Sequence, residues 1–197
     1  MGRLANAVLI ATVVLAPNRA ATAGSDSVGV TLTSDRDPGD FGVPKNMKYD
    51  LNGAHTFDDG LIVGGSFQFI DTTFSDRSRQ SLEGTIGYRI AVGPAFSISG
   101  SAGLGQHWRE DPSISFPYYV LRIGADFDLG ENITWNAISY RFRDAFDHDD
   151  NYDTPQVATG ITYKFDGQRA IAVKIMRNWN DDQPSSTGIS LGFKQAF

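Results

Sequence analysis

The sequence predicts a closed, antiparallel transmembrane β-barrel, an all-β fold of about ten strands. Three observations carry that expectation. Ten segments alternate large apolar residues with small or polar ones, the period of a strand with two unlike faces. Tight-turn sequences alternate with longer polar connections between those segments. Beyond residue 23, no apolar stretch reaches the roughly 20 residues that a membrane-crossing helix needs.

The alternating segments are 26–34, 47–57, 61–71, 80–92, 95–108, 117–129, 132–143, 155–165, 169–179 and 187–197. A tilted spanning strand needs roughly 9–11 residues, which all of them supply, the first marginally. In the fourth, Leu82, Ile86, Tyr88 and Ile90 oppose Ser81, Glu83, Thr85 and Arg89. In the fifth, Phe96, Ile98, Leu104 and Trp108 oppose Ser97, Ser99, Ser101 and His107. In the sixth, Tyr119, Leu121, Ile123 and Phe127 oppose Tyr118, Arg122, Asp126 and Asp128. The seventh is out of phase, because Trp135 falls in register with Arg141 and Arg143; a bulge near Asn136-Ala137 repairs it. Ile62 and Ile70 fall on the inward face by this count, and His55 and Arg177 on the outward one.

Asp58-Asp59-Gly60, Gly93-Pro94, Gly130-Glu131 and Asp166-Gly167-Gln168 have tight-turn chemistry, with glycine supplying positive φ. Residues 35–46, 72–79, 109–116, 144–154 and 180–186 form the longer connections. Ten strands in one chain then close with both termini at the short-turn end, which the resemblance described below places in the periplasm.

Residues 1–23 read as a secretory leader: Arg3, an apolar run from Leu4 to Ala16, then Ala20-Ala21-Thr22-Ala23 as a small-residue cleavage site. Export leaves one domain, 24–197, and removal of Arg3 and Arg19 takes the net charge from −6 to −8. That charge disfavours nucleic acid as a partner. Cysteine is absent, which excludes disulfides and thiolate chemistry.

The last segment places Ile189, Leu191, Phe193 and Phe197 on one face, with Ser190, Gly192, Lys194 and Ala196 on the other. Its pattern resembles the C-terminal signal of bacterial outer-membrane β-barrels: polar, any, Gly, any, any, apolar, any, aromatic. Ser190, Gly192 and Phe197 match, while Gln195 stands where an apolar residue is expected. Over residues 24–197 the chain resembles the small monomeric barrels of Gram-negative bacteria, the OmpA transmembrane domain, OmpX and OmpW type. The resemblance implies location in the outer membrane, contact with its lipid and lipopolysaccharide, a monomer, and insertion by the barrel-assembly machinery reading Gly192 and Phe197. The structural rival is a soluble lipocalin-like barrel, whose apolar face points inward. Aromatics near strand ends, among them Trp108, Tyr119, Trp179 and Phe193, suit interfacial girdles and count against that rival.

With the polar face inward, the lumen gathers Lys48, Asp50, Glu83, Arg89, Arg122, Asp126, Asp128, Arg141, Arg143, Lys164, Lys174 and Lys194. Two roles fit them: a network of ion pairs filling a narrow barrel, or a basic wall along an aqueous path. The long connections are acidic, with Asp35, Asp37, Asp40, Asp181 and Asp182 joining the cluster Asp144, Asp147, Asp149, Asp150 and Asp153. Asp147, Asp149, Asn151 and Asp153 imitate the start of a calcium loop, but Tyr152 stands where Gly is needed and Ala158 where Glu is needed. No metal site and no cofactor are expected. His107 and His148, near Glu110, Asp111 and the acidic cluster, make water activation conceivable. The local motifs of omptin proteases and lipid-modifying hydrolases are missing, so an enzyme is not expected. The reading adopted is a structural or surface-interaction barrel; the alternative is a narrow, anion-preferring, porin-like channel.

Overall fold

The computed structural model describes residues 24–73, 77–110, 114–147 and 152–197. The expected leader, residues 1–23, lies outside them, as do Asp111, His148, Asp149, Asp150 and Asn151. Ten strands form: β1 Gly24–Arg36, β2 Pro44–Phe57, β3 Leu61–Thr72, β4 Ser78–Ala91, β5 Phe96–Arg109, β6 Ile114–Asp128, β7 Ile133–Ala145, β8 Gln156–Lys164, β9 Arg169–Asn180 and β10 Gln183–Ala196. Each pairs antiparallel with its sequence neighbours, and β1 pairs with β10 from Ser27↔Ala196 to Arg36↔Thr187, so the sheet closes on itself. Closure leaves no edge strand, which a bilayer interior requires because nothing there can satisfy free backbone groups.

The two faces are inverted relative to a water-soluble protein. Val30, Ile86, Leu104, Ile123, Val173 and Leu191 are exposed, Leu104 by 64%, whereas Asp35, Glu83, His107 and Arg143 are buried. A continuous apolar exterior around a polar interior is the arrangement of a spanning barrel and excludes the lipocalin-like alternative. Trp108 and Phe193 are exposed near opposite ends of the barrel, at the loop end of β5 and the turn end of β10. Tyr119 and Trp179 are half-buried, Tyr119 donating its hydroxyl proton to Asp144 at 3.2 Å.

The register of β7 shifts between Asn136 and Ser139 against β8, so Trp135 and Ile138 are both exposed while Asn136 faces inward. The bulge anticipated at Asn136-Ala137 is there. Ile62 lines the interior and Ile70 is buried.

At the turn end, which also carries both strand termini, Gly60 adopts φ 94° and a Cβ would meet the Arg89 carbonyl. Asp166 accepts from the backbone N–H groups of Gln168 and Arg169 and from the Arg169 guanidinium, which hold its carboxyl below the usual range. At the loop end the strands run further than the sequence suggests. Residues 180–186 are not a long connection: only Asp181 and Asp182 link β9 to β10, with φ 47° and 59°, the left-handed pair of a two-residue hairpin turn. Asp35 is likewise no loop acid but a strand residue, 1% exposed and facing the lumen. Asp37 and Asp40 build the β1–β2 loop, accepting from the N–H groups of Gly39 and Gly42 at 2.8 and 2.9 Å.

Candidate functional site

Glu83 is the hub of a polar bar across the lumen. It stands on β4 beside Gly105 of β5, which stands beside Tyr118 of β6. With hydrogen alone at Gly105, the Tyr118 ring lies back along the wall and donates its hydroxyl proton to Glu83 Oε1 at 2.9 Å. Arg122 of β6 and Arg143 of β7 both form ion pairs with the same carboxylate. Arg143 also donates to Gln68 Oε1 on β3 at 3.3 Å, and Gln68 donates to Asp50 of β2 at 2.6 Å. The Arg143 guanidinium sits 5.6 Å from the centre of the Tyr118 ring. The chain of contacts therefore runs from β2 to β7, across the barrel rather than around it. Beside it Lys48 pairs with Asp35 at 2.6 Å. Pairing of this kind offsets the cost of taking charges out of water.

On the loop side of the bar the interior is packed. His107 and Phe116 stack loosely with Tyr152, ring centres 4.8–5.1 Å apart, and Ser81 lies 2.9 Å from His107 Nδ1. Gln156, Asn178 and Ser186 form a second chain at 2.7 and 2.8 Å. His107 is thus buried among rings and a hydroxyl, away from water at the surface. Among the described residues no group of three or more metal-ligating side chains occurs.

On the turn side the lumen opens into a cavity of about 750 Å³. Lys48, Asp50, Arg89, Arg122, Asp126, Arg141, Arg143, Lys164, Lys174 and Lys194 line it, ten of the twelve residues expected in the lumen. Glu83 is enclosed within the bar, and Asp128 sits at the end of β6 accepting from Thr134. The acids of the cavity have donors: Asp126 meets Arg89 at 3.2 Å and Asn136 at 2.8 Å. Lys164, Lys174 and Lys194 have no hydrogen bond or ion pair to any described residue. The network and the basic wall therefore coexist at different depths. Sequence reading missed Asp35, Gln68 and Asn136 as lumen residues; the period-two register of Gln68 with Ser66 was the available signal.

No family model matches the chain, and no curated protein matches it. Solved structures do. An outer-membrane channel from Pseudomonas putida F1 superposes with a TM-score of 0.53 at 10% identity, over 93% of this chain and 100% of that one. A NanC porin superposes with a TM-score of 0.52 at 7% identity, over 85% and 98%. At such identity the likeness is one of fold. It supports the broad class of outer-membrane porin-type barrels and does not single out the OmpA, OmpX and OmpW type. The chain has the closed antiparallel fold of bacterial outer-membrane channels, with a basic cavity behind a cross-lumen polar bar.

Proposed function

We propose that the protein is a narrow, anion-preferring passive channel of the bacterial outer membrane. The observation that carries this is the trio of cavity lysines that make no ion pair with any described residue. Unpaired ammonium groups inside a low-dielectric wall set up a positive potential that draws anions in and excludes cations. The fold likeness to proteins named as channels and porins supports the same reading. Cleavage of the leader after Ala23, recognition of Gly192 and Phe197 during insertion, a monomeric state and contact with lipopolysaccharide belong to this proposal.

A second reading has its own observation. The polar bar at Glu83 and the packed layer beyond it favour a closed barrel with a structural or surface-interaction role. Single-channel recording of refolded protein in planar bilayers separates the two. The channel reading expects discrete, small openings with anion preference, shifted toward cations by Lys164→Glu, Lys174→Glu and Lys194→Glu together. Electrical silence favours the closed barrel. Cation preference in the wild type defeats the assignment of the basic wall.

A further inference from the structure

We propose that the turn-side cavity is a saturable binding site for one compact multivalent anion, of the polyphosphate or polycarboxylate class, which enters from the turn end. The proposal deepens the anion-channel reading and rests on the same cavity, but it asks for occupancy rather than a diffuse field.

Register sets the spacing of the charges. Lys164 pairs with Ala170, and Ala170 pairs with Lys194, so two lysines stand level, separated by one strand. Two inter-strand spacings put their Cα atoms about 10 Å apart. Lys174 lies four residues further along β9 toward the bar, about 13 Å at strand rise. Between them stand Ala170, Ala172, Thr162 and Gly192, all small and all lining the cavity. The space between the ammonium groups is therefore open rather than filled by side chains.

None of the three makes an ion pair or hydrogen bond with a described residue, and the carboxylates around them are held by other donors. Asp126 is engaged by Arg89 and Asn136, Asp50 by Gln68, and Asp166 by Arg169 at 2.7 and 2.9 Å. Lys48, by contrast, has its own carboxylate in Asp35. A triangle of separated positive charges rewards a ligand that carries several negative charges on one small frame. A monovalent ion meets one corner only.

The residue type points the same way. A lysine ammonium is a hydrated point charge on a flexible stem, able to follow phosphate or carboxylate oxygens, whereas bidentate planar recognition calls for arginine. A volume of about 750 Å³ falls within the range of small-ligand pockets. Direction follows from the lining: it runs from Asp166, Gln168 and Arg169 at the turn end up to Gln68 and Arg143 in the bar. Of the packed layer beyond, only Gln156 borders it, while His107, Phe116, Asn178 and Ser186 take no part.

The test is calorimetric titration of detergent-refolded protein with inorganic pyrophosphate, with chloride at equal ionic strength as control. One site per chain is expected. Loss of a single charge-assisted contact costs about tenfold or more in affinity, so Lys174→Gln should weaken binding by at least that and the triple glutamine variant should abolish it. Retained heat-modifiable gel mobility checks that the variants are folded; if the triple variant is not, the three single variants and Lys174→Arg, expected to retain binding, take its place. Binding that is absent, is displaced by chloride, or is unchanged in the variants overturns the proposal. In bilayers, pyrophosphate should block current when added on the side that the turn end faces and not from the other; block from the other side alone also overturns it. Binding without any conductance sinks the channel reading and keeps the site; anion-preferring conductance without pyrophosphate binding does the reverse.

Discussion

Tyr118 and Gly105 face each other across β6 and β5, and the phenol occupies the space that any side chain at 105 would need. A Cβ there would lie 2.7 Å from the Tyr118 hydroxyl oxygen and 2.8 Å from the Leu82 carbonyl oxygen. Tyr118 is 0% exposed and reaches Glu83 only by lying along this wall. One missing methyl group on β5 thereby positions the hydroxyl on which part of the polar bar depends.

Gly105→Ala should accordingly cost about 1–3 kcal/mol of stability, the usual range for overpacking. The measurement is the urea midpoint of the refolded barrel. In a Tyr118→Ala background the cost should shrink, because only the Leu82 carbonyl then stands in the way. Equal costs in both backgrounds would show that the two residues are not coupled.

Glu83→Gln should destabilise more, by about 3–5 kcal/mol, because it strips the common counter-charge from Arg122 and Arg143. Lys174→Met should leave the urea midpoint unchanged or raise it, since that ammonium has no ion pair or hydrogen bond with a described residue to lose. Opposite signs at two inward charges separate a structural pair from a free cation. Loss of stability at both would mean that Lys174 is held by a contact of its own.

Asp153 supplies a pH dependence at the loop end. Burial first, then Asp144, Asp182 and Asp181, push its carboxyl above the usual range, and its Oδ1 has no donor. A raised folded pKa means that ionisation weakens the folded state: the penalty is full above that pKa and absent below the unfolded value of about 4. Asp153→Asn should therefore stabilise the barrel at neutral pH, with the gain vanishing as pH falls below about 4. Midpoints measured at both ends of that range check it. A gain that persisted in acid would assign the effect to something other than charge.

The cysteine-free chain makes topology directly measurable. Asp40→Cys, in the β1–β2 loop, should react with a membrane-impermeant maleimide on intact cells. Gly130→Cys, in the β6–β7 turn, should react only after permeabilisation. The reverse labelling would turn the barrel over.

The strand count, the sidedness of each strand and even the β7 bulge were legible, because a lipid exterior forces a strict period of two that survives local noise. Where the strands leave the lipid, that forcing ends. Ser78-Arg79 and Gln183-Pro184-Ser185 are polar on both faces, so they look like loop while pairing as strand. The same effect hid Asp35, whose environment depends on how far β1 continues. The roles of the inward charges were less legible still. Period assigns Glu83, Arg143 and Lys174 to one face alike; only the tertiary contacts across the barrel make the first two a closed pair and leave the third alone. No spacing in the sequence encodes the reach of Arg143 from β7 to Gln68 on β3.

The seam between the first and last strands also imposes an order in time. The N–H of Phe197 donates to the Asp26 carbonyl at 2.9 Å, and β10 is hydrogen-bonded along its length to β1 and β9. Any cellular factor that recognises the final strand by docking against its open edge must do so while Gly24–Arg36 is still elsewhere. Once the ring shuts, the docking edge no longer exists, and release becomes a one-way step that needs no energy source of its own.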